Sequence, residues 1–86
     1  GTDTKHRAGS IPVQGAKLSY MQNYLIESLT EERKQLEQKI KKLEDFISGD
    51  DFKNIDNIQF ALLLEIQLNT MKSYSYILLE RITKLL

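Results

Sequence analysis

Apolar residues recur at helical spacing along most of this chain, in two long segments separated by a short polar one. In the first segment they fall on a stripe about 120° wide on a helix. We therefore predict a helix over residues 20–47, opened by a capping box at Ser19 and ended by Gly49 in a left-handed conformation. The members of this stripe are Leu18, Met21, Leu25, Leu29, Leu36, Ile40, Leu43, Phe46 and Ile47.

A polar connection over residues 48–56 precedes the second helix, which we predict over residues 57–86. Phe52 and Ile55 can fold back from this connection and cover the adjoining ends of the two helices. The sequence Asp-Asn-Ile-Gln at residues 56–59 has the form of a second capping box. Two long amphipathic helices with a short connection become antiparallel neighbours. The predicted fold class is therefore all-α, an antiparallel two-helix hairpin.

The second helix carries more apolar surface than a two-helix hairpin can bury. One stripe is expected to face the first helix: Phe60, Leu64, Leu68, Met71, Leu78, Leu79, Ile82 and Leu86. A second stripe lies on the opposite side and consists of Ile58, Leu62, Ile66 and Ile77; we call it the back stripe. Leaving it exposed would forgo ~1.5–3 kcal/mol per residue, and such patches mark interfaces. Closed symmetric assemblies commonly cover them, so we predict a helical homo-oligomer.

Residues 1–19 differ from the rest of the chain because they show no helical periodicity. They contain three of the four glycines and the only proline. We interpret them as a disordered arm, vector-derived, with Met21 as the natural start. The alternative is a native arm that becomes ordered on a partner. Either way, residues 20–86 form the predicted hairpin domain.

The composition excludes several classes of protein. Twelve basic and twelve acidic residues give a formal net charge of zero, so the sequence argues against binding to polymeric nucleic acid or to an anionic membrane surface. There is no cysteine, and the single histidine is His6, in the arm. No catalytic triad, His-rich metal site or glycine-rich phosphate loop can be assembled from such a sequence. We predict a protein that is not an enzyme and uses no cofactor.

Some polar and aromatic residues leave two interpretations open. Glu32 and Lys39 lie within or at the edge of the apolar stripe of the first helix. They form either an ion pair or snorkelling side chains at a helix seam. The alternative is a polar site on an interface. Aromatic side chains beside cations can stack bases and bind phosphates, but the same residues also serve as core-edge tyrosines and solubilising lysines. The residues concerned are Tyr20, Tyr24, Tyr74, Tyr76, Lys39, Lys41, Lys42, Arg81 and Lys84.

An ordered set of short motifs resembles a family of small phage proteins. The motifs are KLxxFI at residues 42–47, then Phe52, then MxxYxxxL at residues 71–78, then Arg81-Ile82. Glu32-Arg33-Lys34-Gln35-Leu36, Lys39, Gln59, Leu62-Leu63 and Gln67 also fit the pattern. The family includes the anti-CBASS sponge proteins, which resemble residues 21–86 in length and in helical-hairpin pattern. The resemblance implies a hexamer that binds cyclic dinucleotides, and in some members cyclic trinucleotides, between subunits.

The same resemblance suggests which residues bind the ligand. Tyr24 resembles the early tyrosine that stacks on a base, and Lys39 resembles the lysine that meets phosphate. The family has a hydroxyl residue two positions later, where this chain has Lys41, which keeps a charge but changes the hydrogen bond. Arg81 resembles the late arginine of a separate trinucleotide site. Where the family has a polar residue beside the tyrosine, this chain has Leu25, a departure from the pattern of that second site.

The expected function is therefore sequestration of a cyclic oligonucleotide messenger, such as cyclic GMP-AMP, without cleavage. This would block CBASS-type defence in the cytoplasm of the infected bacterial host. Fifteen residues of straight helix span ~22 Å, so Tyr24 and Lys39 of one chain cannot hold one small ligand unless the helix bends. Otherwise different subunits supply the two residues, as an oligomer would allow. The alternative function is a structural or adaptor hairpin that mediates protein–protein interaction in a phage or host complex.

Overall fold

The computed structural model describes the backbone of residues 2–86 and the side chains of residues 19–86. Three helices follow one another: α1 (Thr2–Ile47), α2 (Asp50–Lys53) and α3 (Ile58–Leu85). The predicted all-α class is confirmed for this part of the chain. Among the described residues, no helix is both long and apolar enough to cross a membrane.

Helix α1 begins at Thr2, upstream of the start that the sequence predicted at residue 20. The backbone passes through Ser19 in helical conformation, so the predicted capping box is not a helix start here. Residues 16–18 are Ala-Lys-Leu, with no glycine or proline to stop a helix. The side chains of residues 1–18 lie outside the described part of the chain. The prediction of a disordered, vector-derived arm over residues 1–19 therefore stays a prediction.

The connection between the long helices contains the short helix α2, with Gly49 at its N-cap. Gly49 has φ −93° and ψ 175°, and no residue in the described backbone has a positive φ. The predicted left-handed cap at Gly49 is therefore wrong. Phe52 folds back as expected, and its ring meets that of Phe46 edge-on, with 6.3 Å between the ring centroids. This aromatic pair covers the end of α1 at the turn.

Helix α3 is capped by Asn57, one residue later than the capping box predicted. The Asn57 side-chain oxygen accepts a hydrogen bond from the Phe60 backbone N–H at 3.0 Å, and Asn57 itself is extended. This bond satisfies one of the free donors of the first helical turn. Asp56 therefore lies outside the helix.

The hydrophobic core lies between α1 and α3. It consists of Leu29, Leu36 and Ile40 from α1 and Leu78 from α3, and Leu78 is fully buried. Four partly buried side chains of α3 pack against this cluster: Leu68, Met71, Ile82 and Leu85. Spacings of four and seven residues bring the α1 members onto one face of that helix.

Polar contacts between α1 and α3 set the position of one helix along the other. The Ser75 hydroxyl donates a hydrogen bond to Glu37 at 2.9 Å, and Arg33 donates to the Ser75 carbonyl oxygen at 3.3 Å. Farther along α1, the Glu44 carboxylate lies 2.9 Å from the Lys72 ammonium. The contacting residues advance along α1 while they go back along α3, as in an antiparallel pair. Because Ser75 is buried, a shift of one turn would leave its hydroxyl without this partner.

The apolar residues of α3 divide between the core and the surface. Leu64, Leu68, Met71 and Ile82 are half-buried, whereas the whole back stripe is exposed. Three residues predicted to face α1 are also exposed: Phe60 (52%), Leu79 (41%) and Leu86 (88%). Phe60 lies in the first turn of α3, and Leu86 lies beyond the last turn, so both are near the ends of the helix.

Candidate functional site

The candidate site is a shallow cavity where α1 and α3 pack together near the turn, which we call the Lys39 cavity. Its volume is about 350 Å³, at the small end of the range for ligand sites. Lys39, Lys42, Leu43 and Phe46 of α1 form one side, and Gln67 and Met71 of α3 form the other. The α1 residues share a face because their spacings of three, four and seven residues match the helical repeat.

The charge of this cavity is suited to an anion. Two lysines line it, and no carboxylate does. Each ammonium group is a donor with three hydrogens, and hydrogen bonds from ammonium to phosphate are stronger than those between neutral groups. The apolar lining residues, Leu43, Phe46 and Met71, provide an apolar surface. A phosphate and an attached base match these two kinds of surface.

Gln67 is the uncharged polar group of the Lys39 cavity. Its side chain is exposed, and its amide nitrogen donates to the Met71 sulfur at 3.8 Å. A thioether sulfur is a weak acceptor. A ligand with an oxygen or nitrogen acceptor can therefore replace this contact at little cost.

A second cavity, of about 430 Å³, lies toward the C-terminal end of α3. Arg81 lines it, so we call it the Arg81 cavity. Lys84 adds a second cation, but Glu80 adds a carboxylate, so the charges partly cancel. The remaining lining residues are Leu25, Leu29, Tyr76, Ile77 and Leu85. Although this cavity is larger, its mostly apolar lining and its carboxylate make it less suited to a polyanion than the Lys39 cavity.

Tyr76, at the edge of the Arg81 cavity, has an altered acidity. The pKa of the Tyr76 phenol lies above its ordinary value of 10.0. The largest cause is hydrogen bonding to the Glu80 carboxylate, and the negative charge of that carboxylate and a smaller effect of desolvation add to it. All three effects disfavour the phenolate. The Tyr76 phenol therefore stays protonated to a higher pH than an ordinary tyrosine.

The structure separates the four residues that the sequence predicted to bind a ligand. Lys39 and Arg81 line different cavities. Tyr24 is 69% exposed and lines an apolar depression with Tyr20, Met21 and Leu25. Lys41 is exposed and lies 3.7 Å from the Asp45 carboxylate, on a face of α1 that is turned ~160° from Lys39 at 100° per residue.

Tyr24 is also distant from Lys39 because α1 is helical without interruption between them. Fifteen residues at 1.5 Å each correspond to ~22 Å. The bend that would bring the two residues of one chain together is therefore absent from the described part of α1. Within a single chain, the structure brings none of the other three predicted residues to the Lys39 cavity.

Lys42 was one of the candidate cations in the sequence, but it was not grouped with Lys39 and Phe46 in one site. Lys42 and Phe46 follow Lys39 at spacings of three and seven, a signal that would have placed all three on one helical face. Gln67 and Met71 could not be found in this way, because their position depends on how α3 is aligned against α1. That alignment comes from contacts between residues far apart in sequence, such as Ser75 with Glu37.

Metal binding has no support from the described side chains, where no group of three or more histidine, cysteine, aspartate or glutamate residues could hold an ion. Acidic residues do meet near the turn, where Asp45, Asp50 and Asp51 line a small surface depression. Asp50 is largely exposed and lies 4.0 Å from the Lys53 ammonium. These carboxylates are consistent with a solvated turn.

The model of a family described as Sequestin matches residues 23–84. This range includes α2, α3 up to Lys84 and all the residues that line the Lys39 cavity. The family name indicates a sequestering role, that is, binding rather than catalysis. No curated protein and no solved structure matches the chain.

Proposed function

The chain belongs to the Sequestin family, and we propose that it is a non-enzymatic phage immune-evasion protein that sequesters cyclic oligonucleotides. Its ligands are second messengers such as cyclic GMP-AMP, bound in pockets between subunits. Removal of the free messenger would block CBASS-type defence signalling in the cytoplasm of the infected host. A protein that acts by sequestration needs affinity and abundance, and it needs no catalytic groups.

The Lys39 cavity is the observation that carries this proposal. Lys39 and Lys42 place two positive charges one helical turn apart, beside the apolar surface of Phe46 and Met71. A cyclic dinucleotide contains the complementary groups, two phosphates and two flat bases. The absence of a lining carboxylate in this cavity favours an anionic ligand even though the whole chain is neutral.

An oligomer would allow Tyr24 to take part in ligand binding. In one chain this tyrosine lies ~22 Å of helix away from Lys39, and its ring is exposed. In a homo-oligomer, Tyr24 of a neighbouring subunit can stack on a base whose phosphate is bound by Lys39. The cavity is small, about 350 Å³, and open to solvent, so a second subunit would also enclose the ligand. We propose that the hairpins assemble through the back stripe, as a hexamer.

The other two predicted residues have separate roles in this proposal. Arg81 lies in its own cavity, which supports a second ligand site for a cyclic trinucleotide. Leu25 lines that cavity too, where the family resemblance implies a polar residue, so this site would bind more weakly. Lys41 points away from Lys39 in the same chain, and it would reach a ligand held by a neighbouring subunit.

Mass spectrometry tests the proposal directly. The protein is purified from bacteria that make cyclic oligonucleotides and then denatured, and the small molecules released are identified. We expect cyclic di- or trinucleotides in amounts comparable to the protein. Calorimetry with a panel of the same compounds gives their affinities. Failure of every member to bind an oligomeric sample would contradict the proposal.

A second candidate function is a structural or adaptor hairpin in a phage or host complex. The exposed back stripe favours it, because Ile58 and Ile66 remain 73% and 57% accessible and another protein could cover them. An adaptor would bind no cyclic oligonucleotide, even as an oligomer. The calorimetric panel, run on a sample shown to be oligomeric, therefore distinguishes the two functions.

A further inference from the structure

Gln67 differs from the other residues that line the Lys39 cavity in its hydrogen-bonding groups. It lies on α3, across the cavity from Lys39 and Lys42 on α1, and next to the Met71 thioether. The two lysines can only donate hydrogen bonds, and Leu43, Phe46 and Met71 offer mainly apolar surface. Gln67 is thus the lining side chain that can both donate and accept hydrogen bonds in a fixed plane.

The Gln67 amide is also available to a ligand. Its nitrogen donates to sulfur at 3.8 Å, and sulfur is a weak acceptor. Rotation of the amide toward a base edge exchanges this weak contact for a hydrogen bond to nitrogen or oxygen. A base that lies on Phe46 and Met71, with its phosphate at the lysines, would present its edge toward α3.

We propose that Gln67 determines the base preference of the Lys39 cavity and selects adenine; this inference rests on the proposed function. A carboxamide pairs with adenine at two points, because its N–H donates to N7 and its oxygen accepts from the N6 amino group. Guanine presents two acceptors, N7 and O6, at the same edge, and one of them would face the amide oxygen. Cyclic di-AMP is therefore the better ligand for this cavity, and cyclic di-GMP the poorer one.

Calorimetry with these two compounds tests the assignment on the full chain. The wild-type protein should bind cyclic di-AMP about tenfold more tightly than cyclic di-GMP, the discrimination expected of one good bidentate pair. In Gln67→Ala the ratio of the two affinities should fall to about one, with most of the loss on the adenine compound. The matched control is Gln38→Ala, an exposed glutamine of α1 that does not line the cavity, and it should keep the wild-type ratio.

The outcomes separate this inference from the proposed function. If both compounds bind but the ratio is the same in wild type and Gln67→Ala, the role of Gln67 is refuted while sequestration stands. The same holds if wild type prefers cyclic di-GMP. If neither compound binds, and the wider panel of cyclic oligonucleotides also fails, the proposed function and this inference are both refuted. Light scattering on each variant establishes that the assembly is unchanged.

Discussion

Lys39 and Lys42 are the residues on which an anion-binding role depends most directly. Both lysines line the Lys39 cavity, with no carboxylate among its lining residues. By contrast, Lys41 lies 3.7 Å from Asp45, and Lys72 lies 2.9 Å from Glu44. A lysine that already faces a carboxylate attracts a second anion less, because the local charge is close to zero.

Reversal of the charge at Lys39 should therefore abolish binding. A charge-assisted hydrogen bond contributes ~1.5–3 kcal/mol, so Lys39→Glu should weaken the affinity for a cyclic dinucleotide by at least about tenfold, with repulsion adding to the loss. Lys34→Glu is the matched control, because Lys34 is an exposed lysine of α1 outside the cavity. Calorimetry measures both. Equal affinities for the two variants would refute the assignment of Lys39.

In the Arg81 cavity, the contact between Tyr76 and Glu80 can be tested through the pKa of the tyrosine. The Glu80 carboxylate raises the pKa of the Tyr76 phenol, so Glu80→Gln should lower that pKa toward 10.0, the ordinary value. The protonated phenol contributes stability below that value, and the contribution is lost as the pH rises through the higher pKa of the folded chain. Difference titration of tyrosinate absorbance against Tyr76→Phe isolates this residue. An unchanged pKa in Glu80→Gln would contradict the contact.

At the scale of the elements, the start of α3 provides a test of local structure. Asn57, rather than Asp56, accepts the hydrogen bond from the Phe60 N–H. Loss of an N-cap side chain costs about 1 kcal/mol, so Asn57→Ala should lower the free energy of unfolding by that amount. Asp56→Ala should have a smaller effect. Urea unfolding at one fixed protein concentration measures both, and the reverse order would place the cap at Asp56.

Apolar spacing alone predicted α3 and the part of α1 from residue 20 to Ile47, together with core residues such as Leu29, Leu36 and Leu78. It did not predict the part of α1 before residue 20. The cap residue of α3 and the conformation of Gly49 could not be predicted, because each depends on the backbone conformation of a single residue. Asp56 and Asn57 are both good capping residues, and Gly49 adopts an extended conformation open to any residue type. The sequence predicted only some of the residues that line the Lys39 cavity. Lys39 follows from the pattern of α1, but Gln67 depends on the alignment of two helices.

At the scale of the whole molecule, the back stripe is an apolar surface of α3 that the described side chains of a single chain leave uncovered. Each of its four residues is at least half exposed: Ile58, Leu62, Ile66 and Ile77. Leu63, which is 62% exposed, adds to the apolar surface at the start of α3. Soluble monomers rarely leave such an apolar stripe open, and a second copy of the chain is the partner always present at equal concentration.

We therefore expect the wild-type chain to be an oligomer whose assembly depends on this surface. Ile66→Glu places a charge in the middle of the back stripe without touching the core, so it should dissociate the oligomer while the helices persist. Size-exclusion chromatography with light scattering gives the mass, and circular dichroism gives the helix content. Gln38→Glu, which adds the same charge at an exposed position of α1, should leave the mass unchanged.

Ile66→Glu also tests whether ligand binding depends on assembly of the oligomer. If Tyr24 of one subunit and Lys39 of another share a ligand, Ile66→Glu should lose affinity for cyclic dinucleotides together with its oligomeric mass, although Ile66 does not line the Lys39 cavity. A monomeric Ile66→Glu protein that binds as tightly as wild type would mean that one chain forms the complete site. In that event the binding would be carried by Lys39, Lys42 and Gln67 alone, and Tyr24 would have no part in it.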